Sequence, residues 1–156
     1  MDAIIIGPVD PLEALESRCR ERKLPLTVQR RVVYQNLIRR DDHPTADQLF
    51  AATRESIPGI SRATVYRVLE TLVEMDLARR VAHDGPAARF DGNLRRHHHM
   101  VCSQCGSIAD VEDPGLRLRV PASVSGGGFS VTGYMVNLQG VCKRCRARGG
   151  SLTMES

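Results

Sequence analysis

Cysteines and histidines are the residues of this 156-residue chain whose types and spacing could carry chemistry. Four cysteines form two CxxC pairs, Cys102 with Cys105 and Cys142 with Cys145. A CxxC turn holds two thiolates close together, and two such turns supply the four soft ligands of a tetrahedral zinc ion. We therefore predict a structural zinc site, because four protein ligands leave no position open for water or substrate. A disulfide or a dithiol redox pair is the alternative interpretation.

A second group of possible ligands surrounds the first CxxC pair. His97, His98 and His99 are consecutive, with Asp91 before them and Asp110 after them. On an extended strand alternate side chains share a face, so His97 and His99 are expected to point together and His98 away. Two imidazoles and two carboxylates suit a divalent ion such as Fe(II), Mn(II), Co(II) or Zn(II). A solvated strip of surface histidines is the alternative.

Four helices are predicted before these ligands, from the helical spacing of apolar residues and from residues that cap helix N-termini. The first covers residues 11–23. Thr27 begins the second helix, whose apolar face is assigned to Val28, Val32, Val33 and Leu37, and which fades near residues 41–42. Thr45 and Ser61 begin the third and the fourth.

After the fourth helix the period of the pattern changes. From Ala78 the residues ARRVAHDGPAARFD form two short segments around Asp84 and Gly85, which is a hairpin signal. Helices followed by one hairpin predict a winged helix-turn-helix domain over residues 1–90. Residues 91–156 are predicted to form a second, smaller α/β domain, with the Pro-, Ser- and Gly-rich segment 120–128 as a loop. The fold class is therefore α+β.

In a winged helix-turn-helix the fourth helix would be the recognition helix. Its early polar residues lie opposite the apolar face and suit phosphates and base edges in a DNA major groove; they are Ser61, Arg62, Thr64, Tyr66 and Arg67. Arg30, near the start of the second helix, is a further candidate phosphate contact. An ordinary solvated helix face is the alternative.

Composition sets the broad class of protein. Apolar residues make up 42% and charged residues 26%, which is the balance of a folded soluble domain and not of a disordered chain. The first residues, MDAIIIGPVDP, fall far short of a signal-peptide core or a membrane span, so a cytoplasmic location without membrane association is expected. The net charge of +4 is weak support for DNA binding, because four metal-bound thiolates would offset it.

Taken together, these motifs resemble the ferric uptake regulator family. The matching segments are LTVQRRVV, HPTADQLF, ISRATVYRVLETL, ARFD, HHHMVCSQCGSIADVEDPGL and GVCKRC. The resemblance implies a homodimeric repressor, not an enzyme, that binds double-stranded operator DNA when a regulatory metal occupies a hinge site. It implies zinc at Cys102, Cys105, Cys142 and Cys145, and Fe(II) or Mn(II) at His43, Asp91, His97, His99 and Asp110.

The two acidic ligands distinguish branches within that family. Iron-uptake members typically have Glu at both places, whereas the peroxide-sensing branch has Asp, as in Asp91 and Asp110 of this chain. The resemblance therefore implies sensing of hydrogen peroxide by Fe(II)-catalysed oxidation of a ligand histidine, with His43 and His97 as targets. Iron- or zinc-responsive control of uptake is the alternative within the family. A metal-dependent enzyme and a zinc-ribbon protein scaffold are the alternatives from other classes.

Overall fold

The computed structural model describes residues 10–81, 87–95, 97–113, 115–116 and 134–149. The chain divides into two compact units, residues 1–94 and residues 95–156. Sequence analysis set the domain boundary before Asp91, whereas this division leaves Asp91 in the first unit. The longest described helix has 13 residues, while an apolar helix needs about 20 to span a bilayer. None of the helices in the described part of the chain meets that requirement.

Within the described part of the first unit there are four helices, and each begins after a residue whose side chain caps it. Asp10, Thr27, Thr45 and Ser61 accept hydrogen bonds from the exposed N–H groups at the helix starts. Gln48 also bonds back to the Thr45 backbone, which completes a capping box. The predicted starts are thereby confirmed for the four helices, which are α1 (Pro11–Glu21), α2 (Val28–Ile38), α3 (Ala46–Ser56) and α4 (Arg62–Glu74).

The core of the first unit is mainly aliphatic and takes buried residues from each of these helices. Its fully buried leucines include Leu15, Leu37, Leu49 and Leu69. The assignment of Val28 to the apolar face of α2 is wrong, because its side chain is 67% exposed. At about 100° per residue, Val28 lies on the side of the helix opposite Leu37.

A two-stranded antiparallel sheet completes this unit and confirms the helix-plus-hairpin pattern of a winged helix. Strands β1 (Arg79–Val81) and β2 (Arg89–Asp91) pair with Arg80 opposite Phe90. The predicted turn at residues 84–85 lies outside the described residues. A bridge between Thr45 and Arg89 fixes β2 to the start of α3.

The described residues of the second unit form a three-stranded sheet followed by one short helix. Strands β3 (His98–Cys102), β4 (Ile108–Val111) and β5 (Asn137–Gly140) lie in the order β4-β3-β5, with β3 antiparallel to β4 and parallel to β5. Helix α5 (Lys143–Ala147) was not predicted, since its five residues are too few to show a helical period. The predicted loop over 120–128 lies outside the described residues.

Candidate functional site

The two CxxC pairs converge in the second unit. Parallel pairing of β3 with β5 sets Cys102 opposite Gly140, the last residue of β5, and Cys142 follows two residues later. The sulfurs of Cys102, Cys105, Cys142 and Cys145 all lie within 4.8 Å of one another. The backbone N–H of Cys142 donates to the sulfur of Cys102 at 3.3 Å. Strand register therefore assembles four ligands that are far apart in the sequence.

The spacing of these sulfurs fits a tetrahedral ion. Cys105 Sγ and Cys142 Sγ are 3.7 Å apart, close to the roughly 3.8 Å expected between two sulfurs at about 2.3 Å from one zinc ion. The distance between these two sulfurs is much longer than a disulfide bond of about 2.0 Å. All five cysteines of the chain are free thiols, so the disulfide interpretation has no support in this structure.

Hydrogen bonding divides the thiols into charged and neutral forms. Hydrogen bonds from the side chain and backbone of Ser107 lower the pKa of Cys105 to about 5. Hydrogen bonds to the sulfurs of Cys105 and Cys142 raise the pKa of Cys145 to about 12, because they favour its protonated form. A cation that binds all four sulfurs would therefore have to displace the proton of Cys145. Sequence analysis missed Ser107, although a hydroxyl residue two positions after Cys105 was visible.

The predicted histidine pair forms a second cluster within the same unit. His97 Nε2 lies 3.0 Å from His99 Nε2 and 3.4 Å from Asp110 Oδ1, and His99 Nε2 lies 3.8 Å from the same oxygen. The register of the sheet places Asp110 directly opposite His99. Both imidazoles are buried, with His99 only 1% exposed. Such a cluster of nitrogen and oxygen donors can chelate a divalent ion, and a solvated histidine strip is excluded.

His98 points away from that cluster, as the alternation along a strand predicts. The backbone N–H of Val136 donates to its Nδ1 at 3.2 Å, so Nε2 carries the hydrogen and donates to the carbonyl of Leu116 at 3.3 Å. The ring stacks on Tyr134 with 5.7 Å between centroids. His98 therefore joins β3 to two other chain segments.

The other two predicted ligands lie together in the first unit. The ligand atoms of His43 and Asp91 are within 4.8 Å of each other, and both side chains are buried. His43 has a φ of 50°, in the left-handed region that costs a non-glycine residue about 1 kcal/mol. Pro44 disfavours a right-handed helical conformation at His43, and Arg89 holds the His43 carbonyl with a hydrogen bond of 3.0 Å. Local contacts thus fix the unusual backbone that turns the imidazole inward.

The candidate DNA-contacting residues differ in what their side chains already do. Arg62 and Arg67 are exposed, and Tyr66 is 45% exposed. Arg62 also pairs with Asp47 in α3, and the hydroxyl groups of Ser61 and Thr64 bond to each other at the start of α4. Ser61 Oγ accepts from Thr64 N at 3.1 Å, and the two hydroxyl groups are 2.9 Å apart.

Arg30 also has a partner inside the chain. Its guanidinium donates to the carbonyl of Pro25 and lies 3.8 Å from the sulfur of Cys19. These contacts attach Arg30 to the segment between α1 and α2. Of the six candidates, the exposed residues of α4 are therefore better placed for an external ligand.

Comparison with known proteins agrees with this architecture. The sequence profile of the ferric uptake regulator family matches residues 21–139. The peroxide-responsive repressor PerR of Staphylococcus aureus strain Mu50 is 32% identical over 135 residues, which cover 86% of this chain and 91% of that protein.

Solved structures show the same fold. The peroxide stress regulator of Campylobacter jejuni has a TM-score of 0.62 and 28% identity, over 88% of this chain and 100% of that one. The ferric uptake regulator of Helicobacter pylori has a TM-score of 0.74 and 23% identity, over 87% and 91%. The helical unit with its hairpin, the sheet and the four-cysteine cluster thus occur in a chain that belongs to the ferric uptake regulator family.

Proposed function

We propose that this chain is a homodimeric, metal-dependent repressor that binds operator DNA and senses hydrogen peroxide. The observation that carries the proposal is the buried cluster of His97, His99 and Asp110 in a member of this family. The similarity to the Staphylococcus aureus peroxide-responsive repressor supports peroxide as the signal.

The four thiols are proposed to hold zinc as a structural ion. A closed set of four cysteines binds zinc tightly and leaves no position for chemistry. Hydrogen bonding lowers the pKa of Cys105 and raises that of Cys145. A zinc ion would balance the negative charge of all four thiolates. Its binding free energy would then become folding free energy of the second unit.

The regulatory site is proposed to need ligands from both units. His43 and Asp91 belong to the first unit, whereas His97, His99 and Asp110 belong to the second. An ion bound by both groups would favour one arrangement of the two units over all others. Because such an ion binds that arrangement best, it shifts the population towards it, and we propose that this arrangement is the one that binds DNA.

Iron in this site would supply the electron transfer that activates hydrogen peroxide. The net change proposed for the protein is that an imidazole C–H carbon of His43 or His97 gains one oxygen atom while peroxide is reduced to water. An oxidised ring would be a poorer ligand, so the site would hold the ion less tightly and would no longer favour the arrangement proposed to bind DNA. His43 and His97 are both buried, so an oxidant formed at a bound ion would meet these rings before it reached bulk water.

Mass spectrometry tests this mechanism. Protein loaded with Fe(II) or with Mn(II) is treated with hydrogen peroxide, its intact mass is recorded, and oxidised residues are located by peptide mapping. We expect one added oxygen at His43 or His97 with iron only, together with loss of DNA binding. DNA binding that follows metal concentration, without histidine oxidation, would instead indicate a regulator of metal uptake.

DNA binding is proposed to use the exposed face of α4, with Tyr66 and Arg67 at its centre and Arg62 at its start. Ser61, Thr64 and Arg30 complete the set proposed from sequence. Replacing Arg62 and Arg67 with Ala should abolish operator binding in a gel-shift titration. Unchanged affinity would favour a zinc-ribbon scaffold that binds proteins. Turnover of a small molecule by the metal-loaded protein would favour an enzyme.

A further inference from the structure

One exposed arginine of the recognition helix is held in place by α3. Arg62 is the first residue of α4, and its guanidinium forms an ion pair and hydrogen bond with Asp47, in the first turn of α3. The same guanidinium lies over the ring of Phe50, 5.0 Å from its centroid. A cation at this distance from an aromatic face is attracted to it. A carboxylate and a ring therefore constrain one otherwise flexible side chain.

The pair formed by Arg62 and Asp47 lies at the surface of the protein. The Arg62 side chain is 63% exposed and that of Asp47 is 56% exposed, and a pair so accessible to water contributes little to stability. The pair instead restricts the conformations that the Arg62 side chain can adopt. Holding the guanidinium before a ligand arrives reduces the side-chain entropy that binding would otherwise cost.

The ion pair also restricts which part of DNA Arg62 can approach. A phosphate bound by Arg62 would lie close to the carboxylate of Asp47, and the two like charges would repel each other. A guanine edge carries no net charge, and its O6 and N7 accept two hydrogen bonds from an arginine. Residues at the N-terminus of a recognition helix are those that reach base edges.

We infer that Arg62 recognises a base in the major groove, and the hydrogen-bonding chemistry identifies that base as a guanine. Asp47 and Phe50 are positioning residues that make this recognition selective. The inference rests on the proposed DNA-binding function. It adds that Arg62, held in place by α3, specifies one base position in each half of the operator. Neither Asp47 nor Phe50 needs to touch DNA for this effect.

Selection from a randomised double-stranded DNA library tests the inference with the full-length protein loaded with Mn(II). The variants are Arg62→Ala, Asp47→Asn and Phe50→Leu. Two matched controls are Glu16→Gln, which breaks the exposed Arg31–Glu16 pair between α1 and α2, and Arg54→Ala, which removes the other arginine lying over Phe50. Thermal unfolding of each variant confirms that it folds.

We expect wild type to select a motif with a required guanine that Arg62→Ala no longer requires. Asp47→Asn and Phe50→Leu should weaken discrimination at that same position, on the order of tenfold, and leave the other positions intact. The controls should select the wild-type motif. Binding to unrelated DNA should not weaken with Asp47→Asn, since the change removes a negative charge.

Two other outcomes are distinguishable. If Asp47→Asn tightens binding to every sequence equally and keeps the motif, Arg62 is a phosphate contact and this inference is wrong while the proposed function stands. If the wild-type protein itself selects no motif, the proposed function fails, and the inference with it.

Discussion

Replacing His98 separates the structural from the metal-binding role of three consecutive histidines. His98→Phe keeps a ring that can stack on Tyr134 but removes the acceptor for Val136 N–H and the donor to the Leu116 carbonyl. A hydrogen bond contributes about 1 kcal/mol net, so the loss of two predicts a destabilisation of about 2 kcal/mol. That change shifts the unfolding equilibrium by roughly 30-fold.

The metal affinity of the same variant should hardly change, because the His98 ring points away from His97 and His99. His97→Phe should behave in the opposite way. Loss of a residue that only orients a ligand costs about 10- to 100-fold in metal affinity, so loss of the ligand itself should cost at least about 100-fold. His98→Gln is the rescue variant, since its amide can both accept and donate a hydrogen bond.

The assay combines urea unfolding of the zinc-loaded protein, followed by circular dichroism, with a titration of Mn(II). Protein concentration is held constant, because the stability of the proposed dimer would depend on it. If His98→Phe lost Mn(II) affinity as severely as His97→Phe while its unfolding midpoint stayed at the wild-type value, the alternation along β3 would have been misassigned.

Three further predictions concern the other parts of the molecule. Asp110→Glu should keep metal-dependent DNA binding but blunt the peroxide response, because the longer carboxylate changes its reach towards His97 without losing charge; a peroxide response equal to wild type under iron loading would contradict the role given to Asp110. Cys102→Ser should lose zinc and unfold the second unit, since structural zinc contributes on the order of 10 kcal/mol to folding; a folded dimer with full zinc content by elemental analysis would refute the structural assignment. Ser61→Ala should destabilise the protein by about 1 kcal/mol through loss of the cap on α4. Ser61→Thr should keep most of the wild-type stability in the same urea assay. If Ser61→Ala had the same unfolding midpoint as Ser61→Thr and the wild-type protein, the hydrogen bond from Thr64 N would contribute nothing to stability.

Local signals in the sequence were sufficient for the starts of α1 to α4 and for most of the candidate ligands, whereas the short helix α5 gave no such signal. Caps such as Thr27, Thr45 and Ser61 act within one turn of helix, so the residues beside them carry the whole signal. A strand alternates its side chains, which is why the opposite directions of His97 and His98 could be predicted.

Tertiary structure decided what depends on contacts between distant segments. Val28 belongs by spacing to an apolar repeat, yet the faces of the neighbouring helices bury Val33 and Tyr34 instead. The unequal pKa values of Cys105 and Cys145 arise from partners that only the folded chain brings within reach.

The same limit applies to the recognition helix. By sequence, Arg62 was one of several exposed polar residues, and nothing in its spacing distinguished it from Arg67. Its contacts with Asp47 and Phe50 depend on how α3 packs against α4. Residue type and spacing thus determined which groups could bind metal or DNA, whereas packing determined which of them are held ready to do so, because packing alone brings together side chains from separate elements.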